Sequence, residues 1–332
     1  MRGRRVALWW RLAVLAAFAA LALAACGGDD DEDSAASTGG DTAAEEAQPT
    51  DVKVATFLTA GIAGVPIAEE QGFFEEEGLN VEQVDVELPN IVPSVVSGEN
   101  QFGAASAGGL LLAAQQNIPV KLVAPAYYAN PAEQGVYVGR DSPIESIEDL
   151  EGKRIATGTL QSVAHAGMLT ALQDAGMSPD DVEVISFDFP NIPAALRSGK
   201  LQAGHMSEPL ITASGESVRE VIDDIYPYGE EPAVTYWFTS EQFANENPEA
   251  VAAFQRAVGE AQDLAASDEA IAREAVAGIT ELEPDVVDKI ALPGFGSDPK
   301  QEQLKQQAEA MAEFGFLEEA PDTDAMFVET SG

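Results

Sequence analysis

The chain has 332 residues and carries 57 acidic against 17 basic side chains, a formal net charge of −40. A field of that sign makes nucleic acid and anionic membrane surfaces poor partners. The single cysteine, Cys26, excludes disulfides and cysteine metal sites. With two histidines and no nucleophile elbow, phosphate-binding loop or H-E-x-x-H motif, we expect no metal, no cofactor and no enzymatic activity.

The first residues have the pattern of a secretion signal. Four arginines precede an apolar run at 12–25, which is too short for an ordinary membrane span. The run ends in LAACG at 23–27, which resembles a bacterial lipoprotein cleavage box, where the cysteine becomes the first mature residue and is lipid-modified. An uncleaved anchor helix is the alternative. We predict a signal peptide at 1–25 and lipidation of Cys26, which would hold an exported protein at the outer face of the cell membrane or in the periplasm.

An acidic linker is predicted at 26–50. It consists of small and acidic residues without an aromatic side chain, so it cannot bury enough apolar surface to order itself. Cation binding by the acidic run at 29–33 is the alternative to a solvated spacer. Removal of the signal peptide takes away four basic residues, which leaves 13 basic against 57 acidic residues and a charge of −44.

Strand-like and helix-like patterns alternate from residue 51 onward. Residues 51–56 alternate as a strand does, and a glycine-containing turn, a helix ending near Gly78 and a second alternating stretch follow. A buried strand is predicted at 120–128. This alternation predicts an α/β fold with mostly parallel sheet.

One stretch of the chain is nearly repeated. PNIVPSVVSGENQFGAAS at 89–106 returns as PNIPAALRSGKLQAGHMS at 190–207, with eight identities and no gap. About one identity is expected by chance over such a window. Each copy has the pattern of a helix, a glycine stop, a strand and a polar loop, so the repeat predicts two similar lobes that each present a loop at a strand end.

Six motifs taken together resemble a known family. They are VPIAEEQGFFEEEGLNVE, SGENQFGAAS, SPIESIEDLEGKRIA, AGMSPDDVEVI, SGKLQAGHMSEP and FANENPEAVAAFQRAV. In this order and spacing, from 51 to about 265, the chain resembles the substrate-binding proteins of ABC importers for sulfonates, taurine and nitrate. That family shares its fold with thiamine-pyrimidine synthesis proteins.

The resemblance implies a two-lobed type II periplasmic-binding-protein fold. Each lobe would be a mostly parallel sheet flanked by helices, with the ligand cleft between the lobes. Lobe one would comprise 51–138 and 233–332, and lobe two 139–232. It further implies a monomer that delivers a small organic solute, such as taurine, an alkanesulfonate or a nitrate-like ion, to an importer permease and its ATPase by cleft closure.

Loops at strand ends and free helix N-termini would line such a cleft and suit an anionic ligand. The first candidate loop is Thr59, Ala60 and Gly61, for which a plain tight turn is the alternative. The second is Ser106, Ala107 and Gly108, with Ser106 able to cap the helix that follows.

The third candidate loop is TGTLQSVAH at 157–165, where sulfonate-binding relatives often show a Gly-Ser-Ser-Ala-His run. Ser162 and His165 agree with that run, as does Ala164, whereas Gln161 replaces a glycine and Val163 replaces a hydroxyl residue. These departures weaken the match to sulfonate specificity. The candidates for the site in this loop are Thr157, Gln161, Ser162, Val163 and His165, and Ser162 as a bare helix cap is the alternative.

The end of the second repeat copy supplies two more candidates, His205 and Glu208. An acidic side chain in the cleft would favour a ligand with an amino group, as in taurine, although Glu208 can instead complement a helix start. Tyr128 and its neighbour Tyr127 could stack on a planar ligand or simply pack.

Three alternatives to this function remain open. The first is a binder of a thiamine pyrimidine precursor or a similar heteroaromatic amine. The second is a pyrimidine-synthase-like enzyme on the same fold, which would look to a cysteine-rich motif that a chain with only Cys26 does not supply. The third is a tethered adhesion module, which would not need two glycine-rich helix starts that face each other.

Overall fold

The computed structural model describes residues 49–57, 59–280 and 282–329. The predicted signal peptide, Cys26 and nearly all of the acidic linker lie outside the described residues. Within the described ranges, no helix has both the length and the apolar character that crossing a membrane requires.

In the described ranges, ten strands form two five-stranded sheets of the same design. The first sheet has the order β2-β1-β3-β10-β4 and the second β7-β6-β8-β5-β9. In each sheet four strands run in one direction and one strand, β10 or β5, runs against its two neighbours. The strands are β1 (Thr50–Thr56), β2 (Leu79–Asp85), β3 (Phe102–Ser106), β4 (Val120–Tyr128), β5 (Gln134–Gly139), β6 (Arg154–Thr157), β7 (Glu183–Ser186), β8 (Ala203–Ser207), β9 (Val218–Ile222) and β10 (Ala233–Ser240).

Helices cover both sheets. They are α1 (Gly64–Gln71), α2 (Phe73–Glu76), α3 (Leu88–Val96), α4 (Ala107–Gln115), α5 (Val163–Asp174), α6 (Ile192–Arg197), α7 (Leu210–Ser214), α8 (Glu241–Glu246), α9 (Pro248–Ser267), α10 (Glu269–Thr280), α11 (Pro284–Val287) and α12 (Gln301–Glu313). The predicted α/β, two-lobed fold with mostly parallel sheets is confirmed, and the antiparallel strand of each sheet is the one that arrives from the other lobe.

The two repeat copies occupy equivalent places. The first copy forms α3 and β3, the second forms α6 and β8, and each strand is the centre of its sheet. The shared glycine of each strand explains part of the repeat, because a Cβ at Gly204 would lie 2.6 Å from Ile192 Cγ2, and one at Gly103 would lie 2.9 Å from Ile91 Cγ2. In both lobes a glycine therefore lets an isoleucine of the helix pack directly onto the strand.

The strand pairing of β5 changes the predicted boundary between the lobes at residue 138. The other predicted limits of the lobes stay a prediction. β5 pairs with β8 and β9 of the second sheet, so residues 134–138 belong with that sheet and not with lobe one. The alternating, apolar pattern of a crossing strand is the same whichever sheet it joins, and so it could not place the change of lobe.

The first sheet has the larger core, and the C-terminal helix links the two lobes. Trp237 and Phe254 are fully buried, and the rings of Phe102 and Phe254 stack at 3.9 Å. On α12, Met311 is buried in one apolar cluster with Leu110 of α4 and Val163 of α5. α12 thus packs against the first turn of α4 in the first lobe and the first turn of α5 in the second.

Candidate functional site

A cavity of about 630 Å³ lies at the carboxyl ends of the central strands, between the two sheets. Six of the predicted site residues line it: Ser106, Gly108, Thr157, Ser162, Val163 and His205. Ten further lining residues were not predicted as ligand contacts: Gly158, Thr159, Ala164, Ser186, Phe187, Asp188, Phe189, Pro190, Tyr226 and Val234. The candidate site thus draws residues from both lobes.

Two helix N-termini meet at this cavity, one from each lobe. Ser106 caps α4 by accepting a hydrogen bond from Gly109 N at 3.2 Å, and Ser162 caps α5 by accepting one from His165 N at 3.2 Å. The cap predicted at Ser106 is thus present, and so is the cap that was the alternative reading of Ser162. A Cβ at Gly108 would lie 3.2 Å from Val163 N, so the first turns of the two helices are in near contact. The backbone N–H groups of the first turn have no partner within a helix, and such groups favour an anion.

The cavity has little side-chain charge. No lysine or arginine of the described residues lines it, and Asp188 is the one carboxylate among the lining residues of that part of the chain. Asp188 accepts a hydrogen bond from Asn191 Nδ2. The positive potential that an anion would meet therefore comes from the two helix starts.

One wall of the cavity is aromatic. Phe187 and Phe189 follow β7, and Tyr226 approaches from the segment after β9. His205 packs edge-on against Phe189 at 5.5 Å and is only 9% exposed. Burial lowers the pKa of His205 to about 4, so the ring is neutral at pH 7. Its Nε2 is buried and has no hydrogen-bond partner within the described residues.

Gln161 lies in the turn before α5 and His165 in the first turn of that helix, and neither lines the cavity. Gln161 has a positive φ of 56°, and its N–H donates to His165 Nδ1 at 3.0 Å. The His165 ring lies 4.6 Å from the ring of Phe316, and burial lowers the pKa of His165 to about 4. Both residues shape the loop that presents Ser162, and their predicted contact with ligand stays a prediction.

Glu208 lies off the cavity lining, and protein groups satisfy both of its oxygens. Thr212 donates from its N–H at 3.0 Å and from its hydroxyl at 2.9 Å, and Ala291 N donates at 3.4 Å. Ala291 follows α11, so this last bond reaches from the second lobe to the first. Next to Glu208 lies Glu133, whose pKa is raised to about 8 by burial and by the negative charge of Glu208.

The predicted residues of the first lobe's opening loop also lie outside the cavity lining, as does Ala107. Thr59, Ala60 and Gly61 form the turn after β1, and the ring of Tyr127 lies directly where a side chain on Gly61 would point. Tyr128 donates a hydrogen bond from its hydroxyl to Asp298 O at 2.7 Å. Packing thus accounts for Gly61 and for both tyrosines.

The described residues hold no cluster of three or more histidine, cysteine, aspartate or glutamate side chains that could bind a metal ion. The groups that line the cavity suit an organic ligand rather than a metal ion. The cavity has hydroxyl and backbone N–H donors at one side and an aromatic wall at the other, which suits an organic molecule with an anionic end.

Residues 59–271 match the family model described as NMT1/THI5 like. The chain belongs to the NMT1/THI5-like family. The resemblance that the motifs indicated is thereby confirmed.

This NMT1/THI5-like chain is similar in sequence to two relatives named here and similar in fold to one solved structure. It is 31% identical to the taurine-binding periplasmic protein of Escherichia coli strain K12 over 220 residues, 65% of this chain and 67% of the relative. It is 30% identical to the riboflavin-binding protein RibY of Chloroflexus aurantiacus over 241 residues, 68% of this chain and 67% of the relative. The crystal structure of the periplasmic aliphatic sulphonate binding protein SsuA from Escherichia coli shares the fold, with a TM-score of 0.70 at 18% identity over 84% of this chain and 98% of that one.

Proposed function

We propose that this protein is an exported solute-binding protein that captures a small organic anion between its lobes and delivers it to an ABC importer. It acts as a monomer, without catalysis and without a cofactor, and its partners are the importer's permease and ATPase. The relatives named for taurine and sulphonate binding support this role. The observation that carries it is the meeting of the α4 and α5 N-termini at one cavity.

Physical chemistry connects that geometry to the function. Each helix start contributes about 0.3–1 kcal/mol to binding an exposed charge, and more where the site is partly buried. An anion at the junction interacts with both lobes at once, so it binds the closed arrangement better than the open one. A ligand shifts such an equilibrium only through that difference in affinity.

The cavity favours an organic anion over nitrate. A volume of about 630 Å³ with an aromatic wall suits a carbon skeleton, which nitrate lacks. We therefore propose taurine or another sulfonate-like solute.

A heteroaromatic solute is the second candidate. Phe187, Phe189 and Tyr226 provide faces on which a planar ring can stack. The relative named for riboflavin binding supports this candidate. The neutral His205 ring, with its unpartnered Nε2, could exchange a hydrogen bond with a ring nitrogen or carbonyl.

Calorimetric titration tests the proposal and separates the candidates. The mature chain is titrated with taurine, an alkanesulfonate without an amine, nitrate and riboflavin. We expect one of the organic solutes to bind with one site per chain, and nitrate to bind weakest. Tightest binding of nitrate, or binding of none of the four, would contradict the proposed solute class.

A glycine variant ties the binding to the two helix starts. Gly108→Ala places a methyl group 3.1 Å from Val163 Cγ2 and should weaken binding of the preferred solute by about tenfold or more, which is about 1.4 kcal/mol. Gly278→Ala is the matched control, because a Cβ there meets no atom within 4 Å. Equal affinities of both variants would show that the junction does not hold the solute.

Export and anchoring are part of the same proposal. Cys26→Ser should give a protein that is exported but no longer retained with membranes. The substitution removes the residue that would carry the lipid and leaves the export signal at 1–25 unchanged. The measurement is fractionation without detergent. Membrane retention that is the same for parent and variant would rule out lipidation at Cys26.

A further inference from the structure

A second pocket, of about 740 Å³, lies in the second lobe and gathers basic side chains from an acidic protein. Arg140 follows β5, Lys153 precedes β6, and Arg197 ends α6, and all three line this pocket. Only 13 basic residues follow Cys26 in the sequence, against 57 acidic ones. Asp141 is the one acidic residue among the lining residues in the described part of the chain.

Only one of the three basic side chains of this pocket is in a salt bridge within the described residues, although the carboxylate of Asp149 is near Lys153. Arg140 Nη1 pairs with Glu216 at 2.9 Å, but the two side chains are 60% and 91% exposed, and such surface pairs are weak. Lys153 and Arg197 have no carboxylate within 4.0 Å among the described residues. The rim therefore presents cations that a ligand can reach.

The pocket has a formed floor and a fixed wall. Ile144, Leu196 and Leu201 are at most 4% exposed and close its base. Arg219 Nη2 donates to Ile144 O at 2.6 Å and to Ser142 O at 3.3 Å, which holds the loop that makes one wall. Little rearrangement is needed for a ligand to enter, and this lowers the cost of binding.

This pocket and the cavity lie at opposite ends of the second sheet. The cavity is lined by Thr157, the last residue of β6, whereas Lys153 directly precedes the first residue of that strand. Four strand residues span about 13 Å. α6 likewise begins next to the cavity and ends at Arg197 in the pocket. A ligand of the pocket is therefore distinct from the solute of the cavity.

We propose that this basic pocket binds a small polyanion with at least two negative groups, such as a di- or tricarboxylate or a phosphate ester. Three cations around one concave site match several charges better than a single anion does. Two of the cations are guanidinium groups, which bind carboxylate and phosphate in a two-bonded geometry. Repulsion from the acidic surface is screened beyond about 8 Å at physiological salt, so the local cations decide.

Titration calorimetry at low salt tests the proposal, with citrate and inorganic tripolyphosphate as probes. The chains compared are the parent, Lys153→Gln/Arg197→Gln and the control Lys289→Gln/Lys305→Gln, which loses the same charge elsewhere. We expect one polyanion per parent chain, an affinity within about twofold in the control, and an affinity about tenfold or more lower in the pocket variant. No binding to the parent, or equal losses in both variants, would overturn the proposal.

Hydrogen exchange locates the bound polyanion and keeps the two sites separate. Protection is expected at 139–144 and 196–202, and a saturating solute of the cavity should leave polyanion affinity unchanged. Protection at 106–109 and 162–166 instead would place the polyanion in the cavity and overturn the second site, while leaving the proposed solute binding intact. Circular dichroism of each variant checks that the fold is retained.

Discussion

Glu133 lies next to Glu208, outside the cavity lining, in surroundings that favour its protonated form. Gln134 Nε2 donates to its carboxyl group at 3.3 Å, and Glu208, Tyr127 and Tyr226 are the ionisable groups around it. Because its pKa rises from 4.5 to about 8, the folded protein retains a proton that the unfolded chain releases between those values. The stability this proton provides is complete below pH 4.5 and is lost as the pH rises through 8.

The variant Glu133→Gln should remove that pH dependence. Between pH 5.5 and pH 8.5 we expect the parent to lose up to about 3 kcal/mol of unfolding free energy that Glu133→Gln does not lose. Urea denaturation at both pH values measures this difference, with the exposed Glu151→Gln as control. Parallel behaviour of parent and Glu133→Gln would show that Glu133 titrates normally.

For single residues, hydrogen bonds to neighbours in the sequence could be predicted, whereas contacts with residues far along the chain could not. Capping could be foreseen at Ser106, and as the alternative role at Ser162, because a cap is satisfied within three residues of its own chain. The position of His165 depends on Phe316, far along the sequence, and so its orientation was beyond the motif. The high pKa of Glu133 likewise depends on a neighbour that no local pattern reveals.

In each repeat copy, a glycine of the strand packs against an isoleucine of the helix. A methyl group on Gly204 would lie 2.6 Å from Ile192 Cγ2, so Gly204→Ala should destabilise the protein by about 1–3 kcal/mol through overpacking. Combining it with Ile192→Ala should cost less than the two single losses together, since the new methyl then has room. Gly278→Ala, in open space on α10, controls for the backbone effect of losing a glycine. Additive losses in the double variant would show that the contact is not responsible.

The elements themselves follow from local pattern, while their partners do not. Alternation and glycine stops predicted the strands and helices of both copies. The loop at 186–190 was missed as part of the site, because it joins β7 to α6 and its local pattern does not indicate that it lines a cavity. The crossing strand β5 was placed with the wrong lobe for the similar reason that its pattern carries no information on which sheet it joins.

Two lobes of one design, held together by few elements, make up the whole molecule. Two chain segments cross between the sheets, α12 packs on helices of both lobes, and Glu208 accepts a hydrogen bond from Ala291 across the cleft. The repeat predicted the equivalence of the lobes, since eight shared residues mark the same helix–strand unit twice. The bridging by α12 could not be predicted, because its amphipathic pattern indicates one buried face but not what covers it.

Hydrogen exchange with and without the solute that calorimetry selects tests the central claim most directly. If the solute's anionic end sits at the junction of α4 and α5, saturating solute should slow exchange of the first-turn amides at 106–109 and at 162–166 together, one set from each lobe. Protection of only one set, or of neither while calorimetry shows binding, would contradict capture of the solute between the two helix starts.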